Sequence, residues 1–307
     1  MYDVAIIGAS VAGLTAGLYA ARKGLKTLVI GEKIGGQIMY ASTIENFPAF
    51  TGSGYDLIIS LKKQAESAGA EILDGRVDRV EKKEESFKME LSKGSSHESK
   101  TLIIASGKIP KRLGVPGEEK FLGRGVHVCA TCDAPLYRNK RVAVIGGGNS
   151  AVEAAINLGG IATKVYLINT NEKCNADEAL VKRVKSMQNV EIIPFGTIRE
   201  TKGERFVSSV IVEDLKTNQQ REIEVEGVFV EIGYAVDSAL FEGLVRLNDK
   251  REIIVDETGS TSAEGVFAAG DVTNSVYKQA VIAAGCGAKA ALSAYAYLAG
   301  SGSKGGY

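Results

Sequence analysis

Asp3-Val4-Ala5-Ile6-Ile7-Gly8-Ala9-Ser10-Val11-Ala12-Gly13 opens the chain with an apolar run that ends in a glycine-rich turn. The run predicts a buried parallel strand, and the stretch that follows, to Lys23, predicts a helix with Gly24 just beyond its end. A second strand, Lys26 to Ile30, leads to Glu32. Strand, glycine turn, helix, strand and acid in this order form the dinucleotide-binding fingerprint, whose turn meets a pyrophosphate while the acid bonds a ribose hydroxyl.

The same pattern occurs a second time in the middle of the chain. Arg141-Val142-Ala143-Val144-Ile145-Gly146 is a near copy of the opening strand, and the turn Gly146-Gly147-Gly148-Asn149-Ser150-Ala151 follows it. Lys164 to Ile168 supplies the next strand. The first turn has Ser10 in place of the middle glycine, and the second ends in alanine, which the motif allows. Two fingerprints predict two bound dinucleotides and therefore two Rossmann-like nucleotide-binding domains.

A pair of cysteines lies just ahead of the second fingerprint, in Cys129-Ala130-Thr131-Cys132-Asp133. Two cysteines at this spacing close and reopen a disulfide, one thiolate attacking and the other resolving the mixed disulfide. The same spacing is also half of a zinc site. The side chains left to complete such a site lack zinc spacing: Cys174, Cys286, His97 and His127. We therefore expect a redox dithiol and no metal.

Several turns elsewhere carry groups suited to a flat ring system. Gly35-Gly36-Gln37 and Asn46 lie in a loop-rich region, where glycine permits close approach and the amides can bond a ring edge. Gly270-Asp271 ends a strand and offers an acid to a ribityl hydroxyl. A long helix beginning near Lys278, with Gln279 and Ala280, is expected to point its dipole at a flavin pyrimidine edge. Taken alone, each of these stretches is an ordinary turn.

The strands between the fingerprints predict a small β-meander in each domain. Strands near Glu71–Leu73, Val77–Lys82 and Phe87–Leu91 precede a charge-rich hairpin turn at Lys93–Lys100 and a buried strand at Thr101–Gly107. A second meander is expected from strands near three later stretches, Val190–Ile193, Val207–Asp214 and Glu222–Val225. The predicted class is α/β, with two doubly wound, three-layer domains.

Two hinge-like stretches predict that the second domain is inserted in the first. Gly114-Val115-Pro116-Gly117 has the composition of a linker, and a second crossing is expected near Tyr234–Asp237. The predicted boundaries are 1–113 and 238–300 for the first domain and 114–237 for the inserted one. A Gly/Ser-rich flexible tail is predicted at 301–307.

Composition excludes several classes of function. The 307 residues contain 37 basic and 37 acidic side chains, so the chain lacks the excess of positive charge that is typical of nucleic-acid-binding proteins. Four cysteines in this length fit a reducing cytoplasm with one catalytic pair. No targeting signal is evident, and the weakly charged stretch Ala280–Ala299 contains two glycines and a lysine. We expect that stretch to be a packed helix and the protein to be cytoplasmic and independent of membranes.

Taken together, these motifs resemble those of the low-molecular-weight thioredoxin reductases, flavoproteins of the pyridine-nucleotide disulfide oxidoreductase group. The resemblance extends over nearly the whole chain. It is carried by Gly8–Gly13, Gly35–Gln37, Glu45-Asn46-Phe47-Pro48, Cys129–Asp133, Gly146–Ala151, Gly265–Val272 and Lys278–Ala280.

The resemblance implies an FAD domain interrupted by an NAD(P)H domain that carries the cysteines, in a homodimer that reduces thioredoxin. Cys132 would face the flavin, Cys129 would attack the partner disulfide, and Asp133 would be the acid–base group. The implied FAD-binding residues are Gly8, Ser10, Val11, Ala12, Gly13, Glu32, Gly35, Gly36, Gln37, Asn46, Val77, Gly107, Gly270, Asp271, Lys278, Gln279 and Ala280. The implied NAD(P)H-binding residues are Gly146, Gly148, Asn149, Ser150, Ala151, Asn169, Thr170, Asn171, Lys173 and Gly233.

The chain departs from the family where the family grips the 2′-phosphate of NADPH with arginines. These positions read Asn169-Thr170-Asn171 and Asn175, with Lys173 as a substitute cation. Ala134-Pro135 replaces the usual Gly-Phe after the dithiol, and Asp237 replaces a common asparagine. We expect a thioredoxin reductase that uses NADPH or NADH, with NADPH favoured. The alternatives are a related flavoprotein with a ferredoxin or deazaflavin donor, one that feeds a peroxiredoxin-type partner, and a non-enzymatic redox sensor.

Overall fold

The computed structural model describes residues 1–40, 44–128 and 130–300, and within these ranges the side chains of Tyr40, Thr131 and Cys132 are not described. Cys129 and the predicted tail at 301–307 lie outside the described residues. The chain divides into two compact units, residues 1–109 with 236–307 and residues 110–235.

The helices and strands are numbered in chain order. The helices are α1 (Val11–Arg22), α2 (Gly54–Ser67), α3 (Glu118–Phe121), α4 (Ala130–Asp133), α5 (Asn149–Gly159), α6 (Glu178–Lys185) and α7 (Ala280–Leu298). The first strands are β1 (Tyr2–Ile7), β2 (Thr27–Gly31), β3 (Ile44–Phe47), β4 (Phe50–Gly52), β5 (Glu71–Asp74), β6 (Val77–Lys82), β7 (Phe87–Leu91), β8 (Ser96–Ile104) and β9 (Lys108–Pro110). The later strands are β10 (Val126–His127), β11 (Arg141–Ile145), β12 (Lys164–Ile168), β13 (Val190–Ile193), β14 (Gly196–Gly203), β15 (Val207–Asp214), β16 (Gln220–Glu224), β17 (Gly227–Val230), β18 (Tyr234–Val236) and β19 (Val266–Ala268).

The first unit is built on a seven-stranded sheet in the order β5-β2-β1-β8-β7-β6, with β19 also paired to β8. Strands β5, β2, β1, β8 and β19 are parallel, and β1 and β2 are buried almost throughout because helices cover the parallel sheet. α1 packs closely along α7 on one face. The carboxyl ends of β1, β8 and β19 therefore meet at one edge of the sheet.

The meander of the first unit is continuous with the parallel sheet, because β8 serves both. Its first half pairs antiparallel with β7 and its second half pairs parallel with β19. The predicted hairpin turn at Lys93–Lys100 is therefore wrong beyond Ser95, where the strand begins. The charged stretch continues as a strand because Ser99 and Thr101 face inward and satisfy their hydroxyls on carbonyl oxygens at 2.8 Å.

The second unit has a five-stranded parallel sheet in the order β10-β17-β11-β12-β13 and a separate antiparallel sheet, β14-β15-β16. Val190–Ile193, expected in the meander, is β13 of the parallel sheet and pairs with β12. The first strand of this meander is instead β14, which was not predicted because its sequence is largely polar. The predicted class of two Rossmann-like units, each with a small β-meander, is confirmed.

The unit boundaries fall at 109/110 and 235/236 rather than at the predicted 113/114 and 237/238. Gly114–Gly117 is not a free linker, because the buried Glu118 carboxylate accepts from the backbone N–H groups of Leu113 and Gly114 at 2.9 and 2.7 Å. Thr201 also donates its N–H to the Pro116 carbonyl. These bonds hold the stretch on the second unit.

α7 is the one helix in the described part of the chain that is long and apolar enough to cross a membrane, with a mean hydropathy of 1.3 over its best window. It also packs along α1, where its Ala290, Ala291 and Ala294 are fully buried in the main core of the first unit. The helix therefore contributes to the core of this unit.

Candidate active site and nucleotide-binding turns

A cleft in the first unit opens at the edge where β1, β8 and β19 end. Its volume of about 370 Å³ lies within the usual range of ligand sites. It is lined by Ser10, Val11, Ala12, Gly36, Gln37, Ile38, Ile44, Asn46, Ala105, Ser106, Gly107, Lys108, Ala269, Asp271, Lys278, Gln279, Ala280 and Ala283. Most of the predicted FAD-binding residues thus converge on one cleft, although they come from distant parts of the sequence.

The glycine turn after β1 is fixed by close packing. Gly8 has a φ of +116°, and a methyl group there would lie 2.1 Å from the Ala105 carbonyl oxygen. A methyl group at Gly13 would lie 1.7 Å from the Gly8 carbonyl oxygen. No side chain fits at either position, so the start of α1 comes directly against the strand and the N–H groups of its first turn face the cleft. This cradle fits the pyrophosphate of a dinucleotide.

Ser10 has a structural role of its own at the position where the motif has glycine. Its hydroxyl donates to the Gly35 carbonyl oxygen at 2.6 Å, and the Gly35 N–H donates back to the Ala9 carbonyl at 2.7 Å. The serine therefore ties the Gly35-Gly36 turn to the first turn, an arrangement that glycine cannot provide.

The amides predicted to meet a ring edge are partly engaged within the protein. Gln37 donates its side-chain N–H to the Lys108 carbonyl at 2.7 Å, and Asn46 donates to Gln279 at 3.2 Å. Lys278 forms an ion pair with Glu252 at 3.0 Å and donates to the carbonyl oxygens of Asp271 and Thr273. Lys278 thus fastens the loop that precedes α7, in addition to lining the cleft.

Other predicted FAD-binding residues lie outside the cleft lining. Glu32 is exposed immediately after β2, as a ribose-binding acid requires. The Val77 side chain is buried in a second core cluster with Leu91, and the role of Val77 in FAD binding stays a prediction. Four glycines belong to the turns that border the cleft but do not line it: Gly8, Gly13, Gly35 and Gly270.

Sequence reasoning missed seven residues of the lining: Ile38, Ile44, Ala105, Ser106, Lys108, Ala269 and Ala283. Ala105 and Ser106 could have been predicted from the sequence, because they follow a buried strand that is parallel to β1 and therefore ends at the same edge of the sheet. Ser106 donates to the Asp237 carbonyl, which fixes the bottom of the cleft.

The turn after β11 in the second unit repeats the geometry of the first. Gly146 has a φ of +139°, and a methyl group there would lie 2.2 Å from the Glu231 carbonyl oxygen. Gly148 precedes α5 and has no atom within 4 Å of where its methyl group would be. Ala151 is fully buried against the turn, while Asn149 and Ser150 are exposed. The open start of α5 fits a dinucleotide pyrophosphate.

The residues expected to contact the adenosine end are not all presented to a ligand. The Asn169 side chain is buried, donates to the Asn171 carbonyl at 3.0 Å and lies against Gly147, and its role in NAD(P)H binding stays a prediction. The amide turns inward because Gly147 leaves room for it. Thr170, Asn171 and Lys173 are exposed.

Two further features lie at the rim of this second site. Gly233 is exposed with a φ of +88°, which suits a glycine at the strand exit. Asn149 donates to the Asp177 carboxylate at 3.0 Å and accepts from the Asp177 N–H at 2.8 Å. This pair, which sequence reasoning missed, places a carboxylate beside the start of α5.

The dithiol segment leads into α4, which follows β10. Asp133 is one-third exposed, and its carboxylate lies 2.7 Å from Nδ1 of His127. Nε2 of the same imidazole lies 2.7 Å from the Tyr137 hydroxyl. The half-buried Glu231 accepts from the Ala130 N–H at 3.4 Å. His127, Tyr137 and Glu231 were not predicted as site residues, and no local spacing links them to Asp133.

Metal binding has no support among the described residues, where no group of three or more His, Cys, Asp or Glu side chains is placed to hold an ion. Cys174 is half-buried, and burial raises the pKa of its thiol. Cys286 is half-buried on α7 in the other unit.

Comparison with known proteins places the chain in a family. The family model "Pyridine nucleotide-disulphide oxidoreductase" matches residues 2–287. The chain is 41% identical to a NADH dehydrogenase of Bacillus subtilis, with 97% of this chain and 58% of that protein covered. It is 40% identical to a component of the alkyl hydroperoxide reductase of Staphylococcus aureus, with 97% and 59% covered. The chain therefore spans about three fifths of the length of these curated relatives.

Solved structures cover the chain more completely. The thioredoxin reductase of Lactococcus lactis is 33% identical, has a TM-score of 0.87 and covers 98% of this chain and 100% of its own. The thioredoxin reductase of T. acidophilum is 34% identical, has a TM-score of 0.82 and covers 96% and 98%. A ferredoxin-flavin thioredoxin reductase of Clostridium acetobutylicum is 31% identical, has a TM-score of 0.53 and covers 97% and 98%.

Enzymes of this family use FAD and NAD(P)H, the groups that fit the cleft and the two turns described above. The chain belongs to the pyridine nucleotide-disulphide oxidoreductase family and is a flavoprotein of the low-molecular-weight thioredoxin reductase type.

Proposed function

We propose that this protein is a thioredoxin-disulfide reductase, which passes two electrons from NAD(P)H, with FAD as intermediate carrier, to the disulfide of a thioredoxin-like partner. The observation that carries the proposal is the presence of two glycine turns of matching geometry in two separate units, with the dithiol segment in the second unit. A redox sensor has no need of the second turn. We further propose that the protein acts in the cytoplasm as a homodimer.

The roles of the cofactors follow from the two sites. The turn at Gly8–Gly13 and the cleft lined by Asp271 and Gln279 would hold FAD, and the turn at Gly146–Ala151 would hold the nicotinamide dinucleotide. When bound, these groups supply two-electron transfer. The boundaries of the two functional domains follow the two compact units.

The dithiol segment would carry out disulfide exchange. Cys129 attacks a sulfur of the partner disulfide, and the sulfur that leaves takes a proton. Cys132 then attacks the mixed disulfide, so a disulfide forms in this protein and the partner departs as a dithiol. Asp133 is the acid–base group for these proton transfers, because it directly follows Cys132 and is partly exposed.

We propose that the donor preference is weak, with NADPH modestly favoured. Thr170 and Asn171 are exposed but neutral, and only Lys173 offers a positive charge to a 2′-phosphate at this loop. A hydrogen bond to a charged group is worth about 1.5–3 kcal/mol, so the missing arginines remove most of the usual discrimination. A second candidate donor, reduced ferredoxin or a deazaflavin, is favoured by the same absence and by the Asp177 carboxylate beside α5.

Turnover of thioredoxin disulfide tests the proposal. The protein loaded with FAD should oxidise NADPH and NADH, with kcat/KM values within roughly tenfold, in step with thioredoxin reduction at substoichiometric enzyme. Cys129→Ser and Cys132→Ser should each abolish turnover but retain FAD, whereas Cys174→Ser should behave like wild type.

The same variants identify the partner and the donor. Cys132→Ser should trap the partner on Cys129 as a mixed disulfide, and trapping by Cys129→Ser instead would exchange the two roles. Reduction of a peroxiredoxin-type disulfide without reduction of thioredoxin would contradict the proposed partner. Absence of turnover with either nucleotide, combined with turnover on reduced ferredoxin, would contradict the proposed donor.

A further inference from the structure

His127 connects Asp133 to a buried phenol. Its side chain is 7% exposed, and both ring nitrogens have partners, Asp133 Oδ2 on Nδ1 and the Tyr137 hydroxyl on Nε2, each at 2.7 Å. Phe229 on β17 stacks on the imidazole, with centroids 5.3 Å apart and planes 25° apart. The ring is therefore fixed in one orientation by packing on its face and by hydrogen bonds on both edges.

The direction of the hydrogen bonds follows from Tyr137. Burial raises the pKa of Tyr137 to about 12, assisted by the negative charges of Asp133 and Glu226, so the phenol keeps its proton. In the described part of the chain its hydroxyl has one acceptor, Nε2 of His127. The phenol thus donates to Nε2, which leaves the imidazole proton on Nδ1, where it is donated to the Asp133 carboxylate.

We infer that His127 and Tyr137 position the Asp133 carboxylate and supply it with a proton during disulfide exchange. The inference rests on the proposed function, in which Asp133 moves protons for the neighbouring dithiol. His127 is a positioning residue in this scheme, because it acts through Asp133, which it contacts at 2.7 Å.

The exchange reaction shows where such a proton is needed. Two electrons pass from the dithiol to the partner disulfide, one S–S bond breaks in the partner and one forms in this protein, and two protons move to the partner sulfurs. The first proton must reach the leaving sulfur before the second thiol has released its own. The neutral imidazole has only one proton and keeps it, so the proton that is supplied comes from the doubly protonated ring. In that form Nε2–H donates to the Tyr137 oxygen, the Nδ1 proton passes to Asp133 and leaves a neutral imidazole, and the ring regains a proton when the second thiol ionises.

The groups that face this network are few. In the described part of the chain, the titratable or charged side chains on its own strand and on the elements packed against it include Asp133, Tyr137, Glu226 and Glu231, and the Lys140 ammonium lies 5.3 Å from the centre of the Tyr137 ring. Glu231 is the same in wild type and in every variant compared below, so a difference between their pH profiles is assigned to His127 and Tyr137.

The test compares His127→Ala, His127→Asn and Tyr137→Phe with wild type. His127→Ala should lower thioredoxin turnover by about 10²-fold, the lower end of general acid–base effects, and should change the shape of the pH–rate profile. Tyr137→Phe loses one neutral hydrogen bond, so turnover should fall by roughly 2–12-fold and the pH–rate profile should move along the pH axis. The control is His97→Asn. His97 is the other of the two histidines and lies in the first unit, so this change should alter neither the rate nor the profile.

His127→Asn separates proton supply from structure. Its amide can donate to Asp133 but cannot take up a proton, so the thermal stability should return towards wild type while the pH–rate profile stays that of His127→Ala. Return of both the wild-type rate and the wild-type profile in His127→Asn would overturn the inference, as would an unchanged profile in His127→Ala. If both variants at 127 unfold, Tyr137→Phe still decides, since a profile identical to wild type contradicts the network.

A second readout is independent of the partner and the donor. The dithiothreitol-reduced protein is alkylated with iodoacetamide across the pH range, and the modified cysteines are quantified by mass spectrometry. The midpoint should move in His127→Ala and in Tyr137→Phe. If wild type fails to reduce thioredoxin but these midpoints move, the proposed function fails and the network stands. If turnover occurs but the alkylation and turnover profiles of all variants match wild type, the network fails alone.

Discussion

Glu231 brings a carboxyl group to the start of α4, and its ionisation is tuned by burial. The residue follows β17 directly, is half-buried, and accepts the Ala130 N–H. Burial raises the pKa of Glu231 to about 7, and the nearby charge of Glu153 acts in the same direction, while the bond from Ala130 opposes them. A carboxyl group at the dithiol helix therefore changes its charge near neutral pH.

The raised pKa predicts how stability depends on pH. The folded state holds the Glu231 proton more tightly than the unfolded state, whose carboxyl titrates near 4.5. Its contribution is fully present below about pH 4.5 and is lost as the pH rises through about 7. The Tm of wild type should therefore fall, relative to that of Glu231→Gln, over this interval.

Thermal unfolding of both proteins from pH 4.5 to 8 measures the effect. The matched control is Glu224→Gln, which removes a carboxylate from an exposed ion pair with Arg141 and should leave the pH dependence unchanged. Parallel Tm curves for wild type and Glu231→Gln would show that Glu231 titrates in its ordinary range.

At the level of helices, two glycines of α7 have opposite environments. A methyl group at Gly287 would lie 2.1 Å from the Ala12 carbonyl oxygen, at the point where α7 crosses the start of α1. Gly285, two residues earlier in the same helix, is exposed and has no atom within 4 Å of the position that its methyl group would take. The close approach of α1 and α7 thus depends on one glycine, and Ala12 also lines the cleft.

Alanine at these two positions should have opposite effects. Gly285→Ala should stabilise the protein by up to about 1 kcal/mol through helix propensity, with FAD binding unchanged. Gly287→Ala must push α7 from α1 and should lower both the Tm and the FAD affinity. Calorimetry and FAD titration of the apoprotein measure these changes. Equal behaviour of the two variants would contradict the packing described here.

Local patterns predicted those elements whose sequence signal is complete within a few residues. β1 and β11 were predicted correctly because each is an apolar run ending in a glycine that needs a positive φ. β14 was missed because its polar residues become a strand only through pairing with β15. The turn predicted at Lys93–Lys100 failed for the same reason, since β7 and β1 recruit that stretch into β8.

The prediction of the candidate site from sequence was limited in the same way, and the limit concerns its side chains. The backbone turns and most of the cleft lining follow from motif spacing, because strand ends fix their positions. The direction of a side chain does not follow from spacing. Asn169 turns inward to occupy the space at Gly147, and His127 meets Tyr137 across a bend of the chain. Sequence alone treated His127 only as a poor zinc ligand.

At the scale of the whole molecule, one turn geometry is used twice for two different ligands. Gly8 and Gly146 have φ values of +116° and +139°. A methyl group at Gly8 would lie 2.1 Å from the Ala105 carbonyl oxygen, and one at Gly146 would lie 2.2 Å from the Glu231 carbonyl oxygen. The two turns belong to different compact units, each with its own parallel sheet. The same substitution in either turn should therefore disable one ligand site and leave the other intact.

Gly8→Ala and Gly146→Ala test this division of labour. Gly8→Ala should lose bound FAD, because the alanine strains the backbone and displaces the turn that carries the pyrophosphate. Gly146→Ala should keep FAD, and dithionite should still bleach its flavin, but NADPH and NADH should no longer reduce it. The flavin absorbance per protein gives the first quantity, and anaerobic bleaching with each reductant gives the second. Retention of nucleotide-driven bleaching in Gly146→Ala would mean that the second turn does not bind the donor, and loss of FAD from that variant would contradict the independence of the two sites.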